Sequence, residues 1–289
     1  MGATTQRLRL DLGYDGGGFA GWARQPGQRT VQATCEEALA RIIRAEVALT
    51  VAGRTDAGVH ATGQVAHADV ARSSWEELAG TLARRTNGVL PPDVRVRQVT
   101  AVPDDFDARF GALSRCYRYR VSDAPYGVDP LRRHDTLAWP RPLDLERLAV
   151  ASAGLVGEHD FAAYCRRRPG ATTVRAVLDL RWRREPDGVL VATVRADAFC
   201  HSMVRGLVGA LLAVGEGRRP PEWPASLLAM RERAGAVTVA PPHGLTLVAV
   251  DYPPPDRWAE RAAQTRRLRV PQLRVPQLRV PQLGAPAPG

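Results

Sequence analysis

The sequence predicts an α+β chain, on three observations. Some segments carry an apolar residue at every second position, as in Arg7-Leu8-Arg9-Leu10-Asp11-Leu12, the period of a half-buried strand. Others repeat at helical spacing, as in Val31, Cys35, Ala38, Leu39 and Ile42. The 289 residues are 45% hydrophobic, enough for one large domain or two small ones with real cores. No run of 18 apolar residues occurs, so no membrane span is expected.

Taken in order, residues 7–12 form a strand with Leu8, Leu10 and Leu12 inward. Thr30 caps a helix that runs to about Glu46. Ala48–Ala52 and Gly63–Ala68 read as strands on either side of a glycine-bounded loop. Ser74-Trp75-Glu76-Glu77 matches a capping box, opening a helix that buries Leu78 and Leu82 and stops at Asn87-Gly88. Val94–Val99 is a strand whose Arg95 and Arg97 share a face, read as the solvated side with an RNA-facing stripe as the alternative. Arg115–Val121 is another, with Tyr117 and Tyr119 on one face. Asp144 begins a helix carrying Leu145, Leu148, Val150 and Leu155. Thr173–Arg183 and Val189–Arg195 form a hairpin across Glu185-Pro186-Asp187-Gly188. Phe199–Val214 is apolar nearly all round, the mark of a buried helix.

Charge and cysteine content narrow the function. The formal net charge is +10 and all 40 basic residues are arginine, so a polyanionic partner is expected. Arginine in place of lysine also follows from GC-rich coding, so the net charge is the informative part. The basic loop Cys165-Arg166-Arg167-Arg168-Pro169-Gly170 is a candidate for touching phosphates. Cys35, Cys116, Cys165 and Cys200 lack metal-ligand spacing and read as buried thiols in a reducing compartment. The opening residues lack an apolar signal core, so a cytosolic location is expected. Glu158-His159-Asp160 lacks the spaced histidine pair of a helical zinc motif, and no metal site is assigned. From residue 253 prolines recur, and three copies of Arg-Val-Pro-Gln-Leu run from Arg269 onward, so 253–289 reads as a disordered tail.

The candidate site centres on Gly53-Arg54-Thr55-Asp56-Ala57-Gly58-Val59-His60. Its glycines permit a tight turn and close approach of a ligand. Arg54 puts positive charge near Asp56, which suits a carboxylate acting as nucleophile or base. Read on spacing alone, the same residues also describe an ordinary polar loop. Arg205 lies inside the apolar helix, where an arginine requires an anion, and Asp56 is the candidate; snorkelling to the surface is the alternative. Gly16–Gly21 matches G-x-G-x-x-G after a strand, but Trp22, Pro26 and Gly27 oppose the immediate helix that a dinucleotide site needs.

The Gly53–His60 loop resembles the signature loop of the tRNA pseudouridine synthases of the A type. Four further stretches are similar to that family in order. They are Tyr14-Asp15-Gly16 with Gly21–Gln25, the strand bearing Tyr117, the Met203-Val204-Arg205 helix, and Pro242–Val250. The family usually has Gln where Ala23 stands, Asn where Gly206 stands, and often a basic residue at Cys116. The resemblance spans about 7–252 and implies a pseudouridine synthase fold. Two similar α/β halves, 1–105 and 106–252, would have their sheets joined around a central basic cleft. It implies isomerisation of uridine to pseudouridine at positions 38, 39 and 40 in the anticodon stem-loop of tRNA, by a homodimer without cofactor or metal. It also implies roles: Asp56 as nucleophile or base, Arg205 as its partner, Tyr117 against the base, Leu245 near the base pocket, and Arg54 in the gap left by the flipped base. The alternative is a non-catalytic RNA-binding protein on an α+β sheet platform, although an RNP1 pattern is missing from the sequence.

Overall fold

A computed structural model describes residues 5–166 and 172–267. Strand β1 (Thr5–Tyr14) is followed by helix α1 (Val31–Ile43), the short β2 (Thr50–Val51) and the long β3 (His60–Ala71). Helices α2 (Arg72–Leu78) and α3 (Leu82–Asn87) precede β4 (Val94–Val102). Then come β5 (Ser114–Ser122), β6 (Leu137–Ala138), α4 (Leu145–Ala153) and β7 (Gly157–Asp160). The hairpin of β8 (Val174–Arg184) and β9 (Leu190–Ala196) leads to α5 (Met203–Gly215) and α6 (Trp223–Ser226). Strand β10 (Leu245–Asp251) and helix α7 (Trp258–Arg267) complete the described chain.

One mixed sheet organises these elements in the order β4-β1-β3-β10-β5-β9-β8-β7, with β2 beside β3 and β6 beside β5. The junction is β10, a late strand inserted between two earlier ones. It pairs parallel to β3 through Thr246↔His60 and antiparallel to β5 through Leu245↔Tyr119 and Leu247↔Tyr117. This single insertion brings the loop before β3, the tyrosines of β5 and the start of β10 into one neighbourhood.

Alternation along β3 shows how both faces are filled. Ala66 and Ala68 belong to the main core with α1 and α5, whereas Val65 joins a second cluster with Ala52, Val102, Phe106, Ala108 and Trp258. Neighbouring side chains on a strand point to opposite faces, so the second cluster fills the other side of the sheet.

Several expectations change here. The helix from Ser74 to Asn87 is two helices, because Gly80 turns at φ +75° between them. Ser74 makes no cap; helix α2 has already begun at Arg72 and has no side-chain cap. Val150 is exposed. Residues 199–202 precede α5 rather than open it. The tail reading fails over its described part: α7 folds because Trp258 and Ala262, one turn apart, are buried. The Trp258 ring packs edge-on against Phe106 at 4.9 Å, and its indole N–H donates to Pro253 O at 2.9 Å. The Arg-Val-Pro-Gln-Leu copies lie outside the described residues, as does most of the basic loop after Arg166. Cys165 and Cys200, expected as thiols, form a disulfide across 35 residues, a separation that hides the pairing from sequence. Cys35 and Cys116 are buried thiols.

Candidate active site

The loop between β2 and β3 is held by its backbone and by buried polar side chains. Trp22 N–H donates to Thr55 O at 3.0 Å, and Gly58 N–H donates to Phe19 O at 3.2 Å. Tyr14 Oη and Thr55 Oγ1 share a hydrogen bond of 2.8 Å. Gln64 Nε2 donates to Tyr14 Oη and, at 2.8 Å, to Gly53 O. His60 accepts from Gly16 N–H at Nδ1, 3.0 Å away, and donates from Nε2 to His243 O at 3.0 Å. One imidazole thus ties the opening loop, the Asp56 loop and the segment before β10 together. Gly58 sits at φ +76°, and a Cβ there would come within 2.8 Å of Pro242. Glycine is therefore required at that point both by conformation and by space. Gly16–Gly21 packs on this loop instead of opening a helix, since α1 starts at Val31. That arrangement offers no dinucleotide fingerprint.

Asp56 projects from this frame into a cleft of about 360 Å³. Its carboxylate is 27% exposed, open to a ligand yet contacted on both oxygens. His201 Nε2 is 3.2 Å from Oδ1. Ser202 Oγ is 3.3 Å from Oδ2, and Arg205 Nη1 is 3.8 Å from the same oxygen. All three come from the turn before α5 and from its first turn. The positive end of that helix also favours a carboxylate. Ser202 takes the left-handed conformation at φ 62°, which turns two consecutive side chains toward one carboxylate. Helix α5 comes this close because Gly206 lies against the backbone of Tyr164: a Cβ would stand 2.7 Å from Tyr164 O. An asparagine at that position would require the segment to move.

The rest of the cleft is aromatic, apolar and basic. Tyr117 is buried, with Phe199 edge-on to its ring at 5.1 Å. Burial pushes the Tyr117 phenol well above its usual range, the negative charge of Asp56 adds to this and Arg115 opposes it, so it stays protonated at neutral pH. Leu245 is buried at the start of β10 and lines the same space. Arg54 is exposed at the rim. Arg115 is buried and donates to Ala52 O, Arg109 O and Asp197 O at 2.8 Å each. It fastens β5 to the entry of the Asp56 loop. The five residues singled out in the sequence, Arg54, Asp56, Tyr117, Arg205 and Leu245, all line this one cleft. Sequence reading did not find His201, Ser202, Phe199 or Arg115. The first three sit in a stretch read as helix, and Arg115 carries no motif of its own. Glu158, His159 and Asp160 lie on β7, at the far edge of the sheet. Among the described residues no group of three or more His, Cys, Asp or Glu could hold a metal ion.

Residues 151–253 match the family model described as tRNA pseudouridine synthase. Three relatives carry the name tRNA pseudouridine synthase A. The one from Frankia casuarinae is 65% identical over 92% of this chain and 96% of its own. That from Streptomyces griseus is 56% identical over 91% and 94%, and that from Mycobacterium leprae is 52% identical over 91% and 95%.

Proposed function

The chain belongs to the tRNA pseudouridine synthase A family and is an isomerase of tRNA uridine, and from that premise we propose that Asp56 performs the chemistry at positions 38, 39 and 40 of the anticodon stem-loop. The observation that carries this assignment is a part-exposed carboxylate, contacted on both oxygens, facing a cleft walled by Tyr117 and Leu245. The reaction breaks the N1–C1′ bond of the uridine, turns the base and rejoins it through C5. Asp56 acts as nucleophile or base in that sequence. Arg205 supplies positive charge beside it. Tyr117, neutral at the working pH, packs against the extruded base and can donate a proton but is poorly placed to remove one. Arg54, at the rim, fills the space that the base leaves in the stem, offsetting part of the unstacking cost of a few kcal/mol. The net charge of +10 suits a tRNA partner held by many phosphate contacts. Among the described residues no helix is long and apolar enough to cross a membrane. The working unit is a homodimer, by the family resemblance.

The test is tritium release from C5-labelled uridine in unmodified tRNA, with the wild type and Asp56→Ala side by side. Wild type alone should release tritium, and Asp56→Ala should still bind tRNA within a few fold, since binding rests on many contacts. Turnover by the variant near the wild-type rate would refute the role of Asp56. If neither protein releases tritium while tRNA is bound, the non-catalytic RNA-binding reading takes its place.

A further inference from the structure

We infer that His201 is the positioning residue for Asp56, an imidazole that donates from Nε2 and fixes the direction of the carboxylate; the inference rests on Asp56 being the catalytic group. Three groups surround that carboxylate, and distance separates their roles. Arg205 Nη1 stands 3.8 Å from Oδ2, beyond hydrogen-bond range, while its Nε donates to Ala240 O at 2.7 Å. The guanidinium is thus directed by the carbonyl of Ala240, in the segment before β10, and supplies charge to Asp56 without aiming it. His201 Nε2, at 3.2 Å, is the only group within hydrogen-bond distance of Oδ1 among the described residues, and Ser202 Oγ, at 3.3 Å, serves Oδ2. With one donor on each oxygen, rotation of the carboxylate about its Cβ–Cγ bond is restrained. Loss of the histidine leaves only the serine, which can rotate with the group it holds.

The tautomer follows from the other side of the ring. His201 Nδ1 is buried and has no hydrogen-bond partner among the described residues. A proton there would be a buried donor with nothing to receive it, which is costlier than an unmet lone pair. Nε2 faces a carboxylate oxygen, so the single proton of the neutral ring belongs on Nε2. His201 can then hold Asp56 through its Nε2–H. Ser202 in its left-handed conformation lets the two neighbouring side chains converge; in a regular helix or strand, consecutive side chains diverge.

The experiment measures kcat, KM and tRNA affinity for His201→Ala, His201→Gln and Asp56→Ala, with circular dichroism on each. Displacing a reacting group by about an ångström lowers rates on the order of 100-fold. His201→Ala should therefore lose roughly 10- to 100-fold in kcat, with KM and tRNA affinity within about threefold. His201→Gln, which keeps a neutral donor near the Nε2 position, should recover most of the loss. Wild-type kcat in His201→Ala, or equal impairment of the folded Ala and Gln variants, would overturn the inference. Should Asp56→Ala retain turnover, the assignment of Asp56 fails first. If it is inactive while His201→Ala is fully active, only the role of His201 is lost. Should His201→Ala not fold, the ring nitrogen shifts of ¹⁵N-histidine wild-type protein decide, with His201 assigned by its absence from the His201→Gln spectrum. A protonated Nε2 with an unprotonated Nδ1 supports the inference; a proton on Nδ1 overturns it.

Discussion

The loop Gly53–His60 and the segment Phe199–Arg205 meet at one carboxylate but are built on opposite terms. The first is a frame: its backbone is bonded to the 16–22 loop, and the buried chain Gln64–Tyr14–Thr55 sits beneath it. It presents Asp56 to the cleft and Arg54 to its rim. The second has one non-glycine residue in a left-handed conformation and presents three side chains to that same carboxylate. Rigidity therefore resides on the side of the carboxylate, and conformational strain on the side of the groups that contact it. Strain of this kind persists only where surroundings enforce it. Here the enforcing contact is the close seat of α5 on Tyr164, which Gly206 permits.

If that division is right, variants on the two sides should separate activity from stability. The largest effect beyond Asp56 itself is expected at Arg205→Met. Removing a part-buried charge partner from the carboxylate should lower kcat on the order of 100-fold, or about 3 kcal/mol, with little loss of tRNA affinity. Single-turnover kinetics checks this, and an unchanged rate would show that the 3.8 Å pair has no part in the reaction. Next comes the frame. Gly58→Ala forces a side chain into a left-handed position against Pro242, and a loss of about 1–3 kcal/mol in stability is expected by urea denaturation. Tyr14→Phe removes the hydroxyl that links Thr55 and Gln64, and should cost about 1–2 kcal/mol. In both frame variants the activity remaining at low temperature should exceed that of Arg205→Met. The smallest effect is expected at Ser202→Gly. Relief of the left-handed backbone offsets the lost hydroxyl, so stability should hold or rise by up to about 1 kcal/mol while kcat falls severalfold. A large loss of stability there would mean that the turn is held by the serine side chain rather than by its surroundings.

One pH effect touches the frame and the cleft wall together. The phenols of Tyr14 and Tyr117, like those of Tyr119, Tyr164 and Tyr252, are pushed up by burial. Their folded values lie above the unfolded value of about 10, so the stability they contribute is present below that pH. It is lost as pH rises from about 10 toward the folded values. Denaturant midpoints measured across this range should fall steadily; a flat profile would mean that the rings are more accessible to water than their burial implies.

Legibility in the sequence follows the same division. The Asp56 loop is contiguous, with glycine, arginine and aspartate at fixed spacing, so it stood out as a candidate, but spacing alone also fitted an ordinary polar loop and the resemblance decided between them. Arg205 could be read because a charged residue inside an all-round apolar helix demands a partner. Tyr117 and Leu245 were reachable only through resemblance, since a tyrosine on a strand or a leucine after a glycine is common in any core. Trp258 and Ala262 did carry a one-turn spacing, but the prolines before them masked it.

By itself the sequence determined the periods of its strands and helices, the position of a carboxylate between two strands and the need for an anion near Arg205. These are local properties, written in residue spacing and in the cost of burying charge. Only the tertiary structure decided that β10 lies between β3 and β5, that a histidine and a left-handed serine close on Asp56, and that α7 covers Phe106 on the far face. Those features join residues far apart in the chain, and nothing in the local periodicity of either partner records where the other will be. They arise when whole elements pack, and the packing of the sheet and α5 selects them.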